Sequence, residues 1–146
     1  MFTPLNFPLA DLRVEKDEVF DIIRKKFVHL TPEEWVRQHV IHFLLHHKKY
    51  PAGLIEVEKS IKLFNTDKRV DILVRTPQLM PLLLIECKAA GVAISQKEVE
   101  QLARYQITLQ APLSFLTNGQ QHIILQHKEG RINSLQDLPI YSLSIP

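Results

Sequence analysis

Asp71, Glu86 and Lys88 are polar residues set in segments that are otherwise apolar. Leu82-Leu83-Leu84-Ile85 runs into Glu86-Cys87-Lys88, and Asp71 lies in Arg69-Val70-Asp71-Ile72-Leu73-Val74. Both segments read as strands. Residues two apart on a strand share a face, so Glu86 and Lys88 point one way and Cys87 the other. For Asp71 to face Glu86 across an antiparallel hairpin, the turn must be centred between Gln78 and Leu79. The turn residues Thr76-Pro77-Gln78-Leu79-Met80-Pro81 are centred there. Opposed Cβ atoms in such a pair lie about 5 Å apart. Two carboxylates that close repel, and each raises the other's pKa. A divalent cation between them resolves the conflict, and Mg²⁺ prefers such oxygen ligands. The lysine beside them can orient or activate an attacking water and balance charge on a phosphate. These residues therefore point to metal-dependent hydrolysis of a phosphodiester.

The flanking elements must hold this group in place. Thr31-Pro32-Glu33-Glu34 predicts a helix start, with Thr31 as cap, Pro32 at the first position and Glu34 completing a capping box. Val36, Val40, Phe43, Leu44 and His47 recur at helical spacing to about Lys49. Leu54 to Phe64 reads as a strand with Ile55, Val57, Ile61 and Leu63 on one face. A turn at Asn65-Thr66-Asp67-Lys68 leads to the Asp71 strand, and the Glu86 strand follows. Ser95-Gln96-Lys97-Glu98 opens a second helix to about Gln110, whose inward residues are Val99, Leu102, Gln106 and Leu109. Leu113 to Thr117 and Gln121 to Gln126 are strands joined by an Asn118-Gly119 turn. Residues 12–21 predict an N-terminal hairpin or irregular arm, Ile22 to Val28 a short helix or extended approach, and the tail from Arg131 is short and mixed. The first three strands of the sheet should be antiparallel. The crossover helix should make the third and fourth parallel. The expected fold class is α/β, a mixed β-sheet flanked by helices.

Composition narrows the class of protein. The chain's 146 residues suit one domain, with 45% hydrophobic and 23% charged residues, which excludes a disordered chain. Its net charge of +2 neither demands nor excludes a nucleic-acid partner. The apolar runs are too short to span a membrane, no signal peptide is read at the N-terminus, and one cysteine cannot form an internal disulfide. The expectation is a single cytoplasmic domain.

Asp71, fourteen residues, then Glu86-Cys87-Lys88 resembles the PD-(D/E)XK nuclease motif. The element order, αβββαβ, is similar to that superfamily's restriction-endonuclease-like core. Thr31-Pro32-Glu33-Glu34-Trp35-Val36-Arg37-Gln38, the Glu86-Cys87-Lys88-Ala89 strand end, Gln101-Leu102-Ala103-Arg104-Tyr105 and Leu116-Thr117-Asn118-Gly119 together resemble the N-terminal nuclease domain of type I restriction enzyme R subunits. The resemblance spans roughly residues 20–127. It implies a metal-dependent DNA endonuclease using Mg²⁺ or Mn²⁺. Asp71 and Glu86 match the metal-ligand acids, Lys88 the catalytic lysine, and the Cys87 backbone carbonyl a further metal ligand. Glu34 matches a first-helix acid that supports the metal. Gln101 and Tyr105 match a Gln-x-x-x-Tyr motif associated with DNA contact. Val70 stands where the family carries proline. No helicase-like translocase is read in this sequence, so a translocase or specificity component would be a partner. A homodimer would supply the two active sites of a double-strand cut.

Other readings compete at individual residues. Glu34 can serve only as a capping residue, with Glu33 solvated beside it. Glu56 and Glu58 can line the cleft or lie on a polar sheet face. Gln101 and Tyr105 can be surface residues, and Lys97 and Arg104 part of a solvated helix face. His42 and His46, one helical turn apart among His39 and His47, have zinc-ligand spacing. Cys87 reads as a packed small hydrophobe. For the whole chain the alternative is a catalytically silent nuclease-fold module that binds DNA or a protein partner.

Overall fold

The computed structural model describes residues 2–145. A small antiparallel sheet comes first, made of β1 (Val14–Glu15), β2 (Glu18–Asp21) and β3 (Lys26–His29). Ile22 to Lys25 is a turn, and Arg13 lies over the Phe20 and Phe27 rings that pair across β2 and β3. The expected arm is thus a hairpin extended by a third strand. Residues 22–28 form no helix.

α1 (Pro32–His42) starts at Thr31, whose hydroxyl accepts the Glu34 amide. The box is not closed. Glu34 turns its carboxylate inward to Arg24, Arg37 and Gln38 instead of back to the Thr31 amide. The regular helix also stops short of Lys49. A π-helical turn over Phe43–His47 follows, with the Lys48 amide reaching the Phe43 carbonyl, and Tyr50 plugs the core behind it.

The main sheet runs β4 (Ile55–Leu63), β5 (Thr66–Arg75), β6 (Pro81–Cys87), β7 (Leu113–Thr117), β8 (His122–Lys128) and β9 (Arg131–Leu135), neighbour to neighbour. Only β6 and β7 are parallel. The crossover between them is α2 (Gln96–Leu109), opened by a complete Ser95–Glu98 capping box. The mixed α/β architecture is the expected one. The tail differs: Glu129-Gly130 turns the chain into β9, a sixth strand, because Ile132 and Leu135 recur too sparsely to signal it.

Two apolar clusters cover the two faces of the sheet. Val36, Val40, Ile41 and Leu44 pack over Ile72, Val74, Leu83, Ile85 and Cys87 on one face. Leu102 packs over Val70, Leu73, Leu84 and Leu116 on the other. The expected single face of β4 is split between them, with Ile55 and Val57 on the α1 side and Ile61 on the α2 side. β5 splits likewise between Val70 and Ile72. The cause lies at Glu58, which has a left-handed backbone (φ 52°) and breaks the period-two alternation. The β4–β5 ladder pairs Val57 with Ile72 and Lys59 with Val70, and leaves Glu58 and Asp71 unpaired between them.

The β4–β5 turn also falls earlier than expected. Phe64 and Asn65 alone make it, both at positive φ, and Thr66 to Lys68 belong to β5. Both strands therefore run past the end of β6. Their distal halves, from Lys59 to Arg69, pair only with each other.

Candidate active site

Asp71 sits where the strands change faces. Its register with β6, carried one pair beyond Ile72 and Ile85, sets it against Glu86 as the turn arithmetic required. The side chain of Asp71 supplies what the open ladder lacks. One carboxylate oxygen accepts the Cys87 amide at 2.7 Å, and the other accepts an Arg37 N–H at 2.8 Å.

Glu86 projects to the α2 side with Lys88, into a cleft of about 220 Å³ shared with Lys68, Arg69, Gln101 and Tyr105. Burial and the neighbouring Asp71 charge push the Glu86 carboxyl up to about 9. Among the described residues Glu86 has no ion-pair partner. Lys88 follows β6 directly, and its amide donates to the Thr117 carbonyl. Its ammonium stands 2.7 Å from Glu98, which raises the lysine pKa and lowers that of the glutamate. Gln101 and Tyr105 share one face of α2, where the Gln101 amide donates to the Tyr105 hydroxyl at 2.6 Å. Cys87 turns the other way into the core, and burial pushes its thiol up. Its backbone stays between Glu86 and Lys88.

Glu34 does not reach the acid pair. Its oxygens accept from Arg37 at 2.7 Å, Arg24 at 3.0 Å and Gln38 at 3.1 Å. It anchors Arg37, which in turn holds Asp71. Glu33 stays exposed, as expected, but lies near this group. Partial burial and the Asp71 charge raise its pKa, and it lies 3.4 Å from Arg37. Glu58 also joins the Arg37 guanidinium, at 3.4 Å, while Glu56 pairs with Arg75 and Lys59 away from it. Arg37, which sequence reasoning passed over, is the buried cation that binds these acids together. Its position one turn after Glu33 on the helix was the available signal.

The two carboxylates are hard oxygen donors of the kind Mg²⁺ or Mn²⁺ takes. The raised Glu86 carboxyl, crowded by Asp71 without a partner cation, fits such an ion. Among the described residues no three His, Cys, Asp or Glu side chains gather into an all-side-chain cage. The His42 and His46 rings lie 5.3 Å apart, and no third ligating side chain among the described residues completes a set with them.

The Glu86 shift predicts how the metal-free protein responds to pH. Folding raises this carboxyl from an ordinary 4.5 to about 9, so the folded state keeps a proton that the unfolded state has released. Its contribution is fully present below about 4.5 and is lost as pH rises towards 9. The urea midpoint in EDTA should fall between pH 6 and 9, and Glu86→Gln should flatten that fall. An unchanged slope in the variant would refute the assignment.

Residues 32–139 match the family described as Type I restriction enzyme R protein N terminus (HSDR_N). The match contains every candidate residue above and leaves out β1 to β3. No curated protein matches the sequence. Among solved structures, the chain is similar to a fragment assigned as an HsdR subunit of a type I restriction enzyme from Vibrio vulnificus YJ016. The two are 22% identical with a TM-score of 0.40, over 58% of this chain and 16% of that one. The chain thus spans about a sixth of that protein's length.

Proposed function

The chain belongs to the family of type I restriction enzyme R protein N termini, and from that premise we propose that it is a metal-dependent DNA endonuclease. One observation carries the reading: Asp71 on β5 lies close enough to Glu86 on β6 for its charge to raise the Glu86 carboxyl, and Glu86 and Lys88 line one cleft. Asp71 and Glu86 would hold the cation, with the Cys87 carbonyl as a further ligand. A bound Mg²⁺ or Mn²⁺ supplies Lewis acidity towards the phosphoryl oxygen and acidifies the attacking water. Arg37 fixes the rotamer of Asp71 and balances its charge before the cation arrives. Lys88 leaves Glu98 to position the water and offset charge on the phosphate. Gln101 and Tyr105 present amide and phenol groups to the DNA backbone from α2. Assembly with a translocase or specificity component, or pairing of two copies, belongs to the same proposal. Among the described residues no helix is long and apolar enough to cross a membrane.

The test is nicking of supercoiled plasmid and degradation of linear DNA in Mg²⁺, in Mn²⁺ and in EDTA. Cutting with either metal and none in EDTA supports the reading. Metal-independent cutting refutes it. The second reading, a silent module that binds DNA or a protein, is favoured by the ion pairs that occupy Lys88 and Asp71. Mn²⁺ and DNA bound without any cutting would support it.

A further inference from the structure

The distal β4–β5 ribbon has no role in the scheme above. Beyond the point where β6 ends, Lys59 to Arg69 form a two-stranded ribbon closed by the Phe64-Asn65 turn. This stretch carries four cations and one acid. Lys59 pairs with Glu56 and Lys62 lies 4.0 Å from Asp67. Lys68 and Arg69 have no ion pair among the described residues. Both are exposed, and both line the cleft that holds Glu86 and Lys88. Gln101 and Tyr105 line the same cleft from α2. Lys68 and Arg69, consecutive on β5, bring two unneutralised cations to this cleft, and Gln101 and Tyr105 bring two neutral hydrogen-bonding groups; together these suit a polyanion, and Glu86 lines the same cleft.

We propose that the overhanging β4–β5 ribbon is a substrate-holding arm in which Lys68 and Arg69 bind backbone phosphates of the DNA strand lying against Gln101 and Tyr105. The proposal rests on the nuclease reading and adds the surface that grips its substrate. Lysine serves as a point charge and arginine as a two-pronged donor, so the pair fixes position without reading sequence. The arm's overhang lets the strand enter from the open side of the sheet. The Phe64 ring at its tip is exposed.

The arm is tested by fluorescence anisotropy of the full chain with a random-sequence DNA duplex in EDTA, from 50 to 200 mM NaCl. Each phosphate contact contributes about 0.9 to the salt slope, so Lys68→Ser/Arg69→Ser should make it shallower by about 1.8. Over that fourfold range the wild type should lose about twelvefold more affinity than the variant. The matched control, Lys128→Ser/Arg131→Ser, removes the same charge from the β8–β9 turn at the far edge of the sheet and should keep the wild-type slope. Equal slopes in wild type and arm variant overturn the arm, and so does an equal change in the control. In either case a wild type that still cuts DNA leaves the nuclease reading standing. A wild type that neither binds nor cuts DNA removes both. Tighter binding of an RNA duplex, lost in the arm variant, overturns the DNA assignment.

Discussion

Lys88→Ala is expected to reduce DNA cutting by about a hundred- to ten-thousand-fold, the range of a positioned proton-transfer group, with Mn²⁺ binding held within about twofold. Lys88 is not among the residues that would hold the cation. Among the described residues its ion-pair partner is Glu98, and the pair is more than a quarter exposed on each side. An ion pair of that exposure is worth about 0–1 kcal/mol, so the variant should fold normally. Loss of cutting without loss of metal or fold therefore isolates the ammonium itself. Lys88→Arg should rescue little, because a planar guanidinium cannot reproduce a compact ammonium that serves a single water. Plasmid cutting in Mn²⁺, with Mn²⁺ binding by calorimetry alongside, reads both effects. Full activity in Lys88→Ala would refute the role given to this residue.

The two acids should differ in stability although both should be needed for cutting. Asp71 is 9% exposed and satisfies the Cys87 amide and the Arg37 guanidinium. Asp71→Ala leaves the guanidinium short of a partner and strands a buried amide, at a cost of about 3–5 kcal/mol. Glu86 has the opposite position. It is buried beside Asp71 without an ion pair among the described residues, and its charge is disfavoured. Glu86→Gln keeps the shape and removes the need to take up a proton on folding, so at pH 7 in EDTA it should be neutral or mildly stabilising. Both variants should lose metal-dependent cutting by at least about a hundredfold. Urea denaturation at pH 7 without metal separates them. Equal destabilisation by the two substitutions would show that Glu86 is held by contacts like those of Asp71.

Arg37 explains why one carboxylate is structural and the other is not. It binds Glu34, Glu33 and Glu58 as well as Asp71, all within 3.4 Å. Arg24 extends this network to Asp21 at the end of β2. Burial raises the Asp21 carboxyl, but its bonds to Arg24 and Gln38 prevail and hold it below the ordinary range. The small N-terminal sheet is thereby tied through Arg24, Glu34 and Arg37 to the acid pair.

What could be read along the chain was set by short-range patterns. The Asp71–Glu86 register followed from the length of one hairpin and the place of its turn. The Ser95–Glu98 box, the Asn118-Gly119 turn and the Gln101–Tyr105 pair are each contained within one helical turn or one tight turn, so their residues meet whenever the element forms. Other features depend on partners far along the sequence. Thr31 and Glu34 have the same box spacing as Ser95 and Glu98, yet Glu34 abandons it because Arg24 and Arg37 offer charged partners inside the fold. Glu33 stays exposed, yet the fold brings Asp71 close enough for its charge to raise the Glu33 carboxyl. The face change at Glu58 and Asp71 needs a left-handed backbone that no residue type there demands. The length by which β4 and β5 outrun β6, and hence the cleft's basic wall, depends on where a third strand leaves the sheet. Spacing along the chain determined which chemistry could be assembled. Burial of charge among distant elements decided which carboxylates are free to perform it.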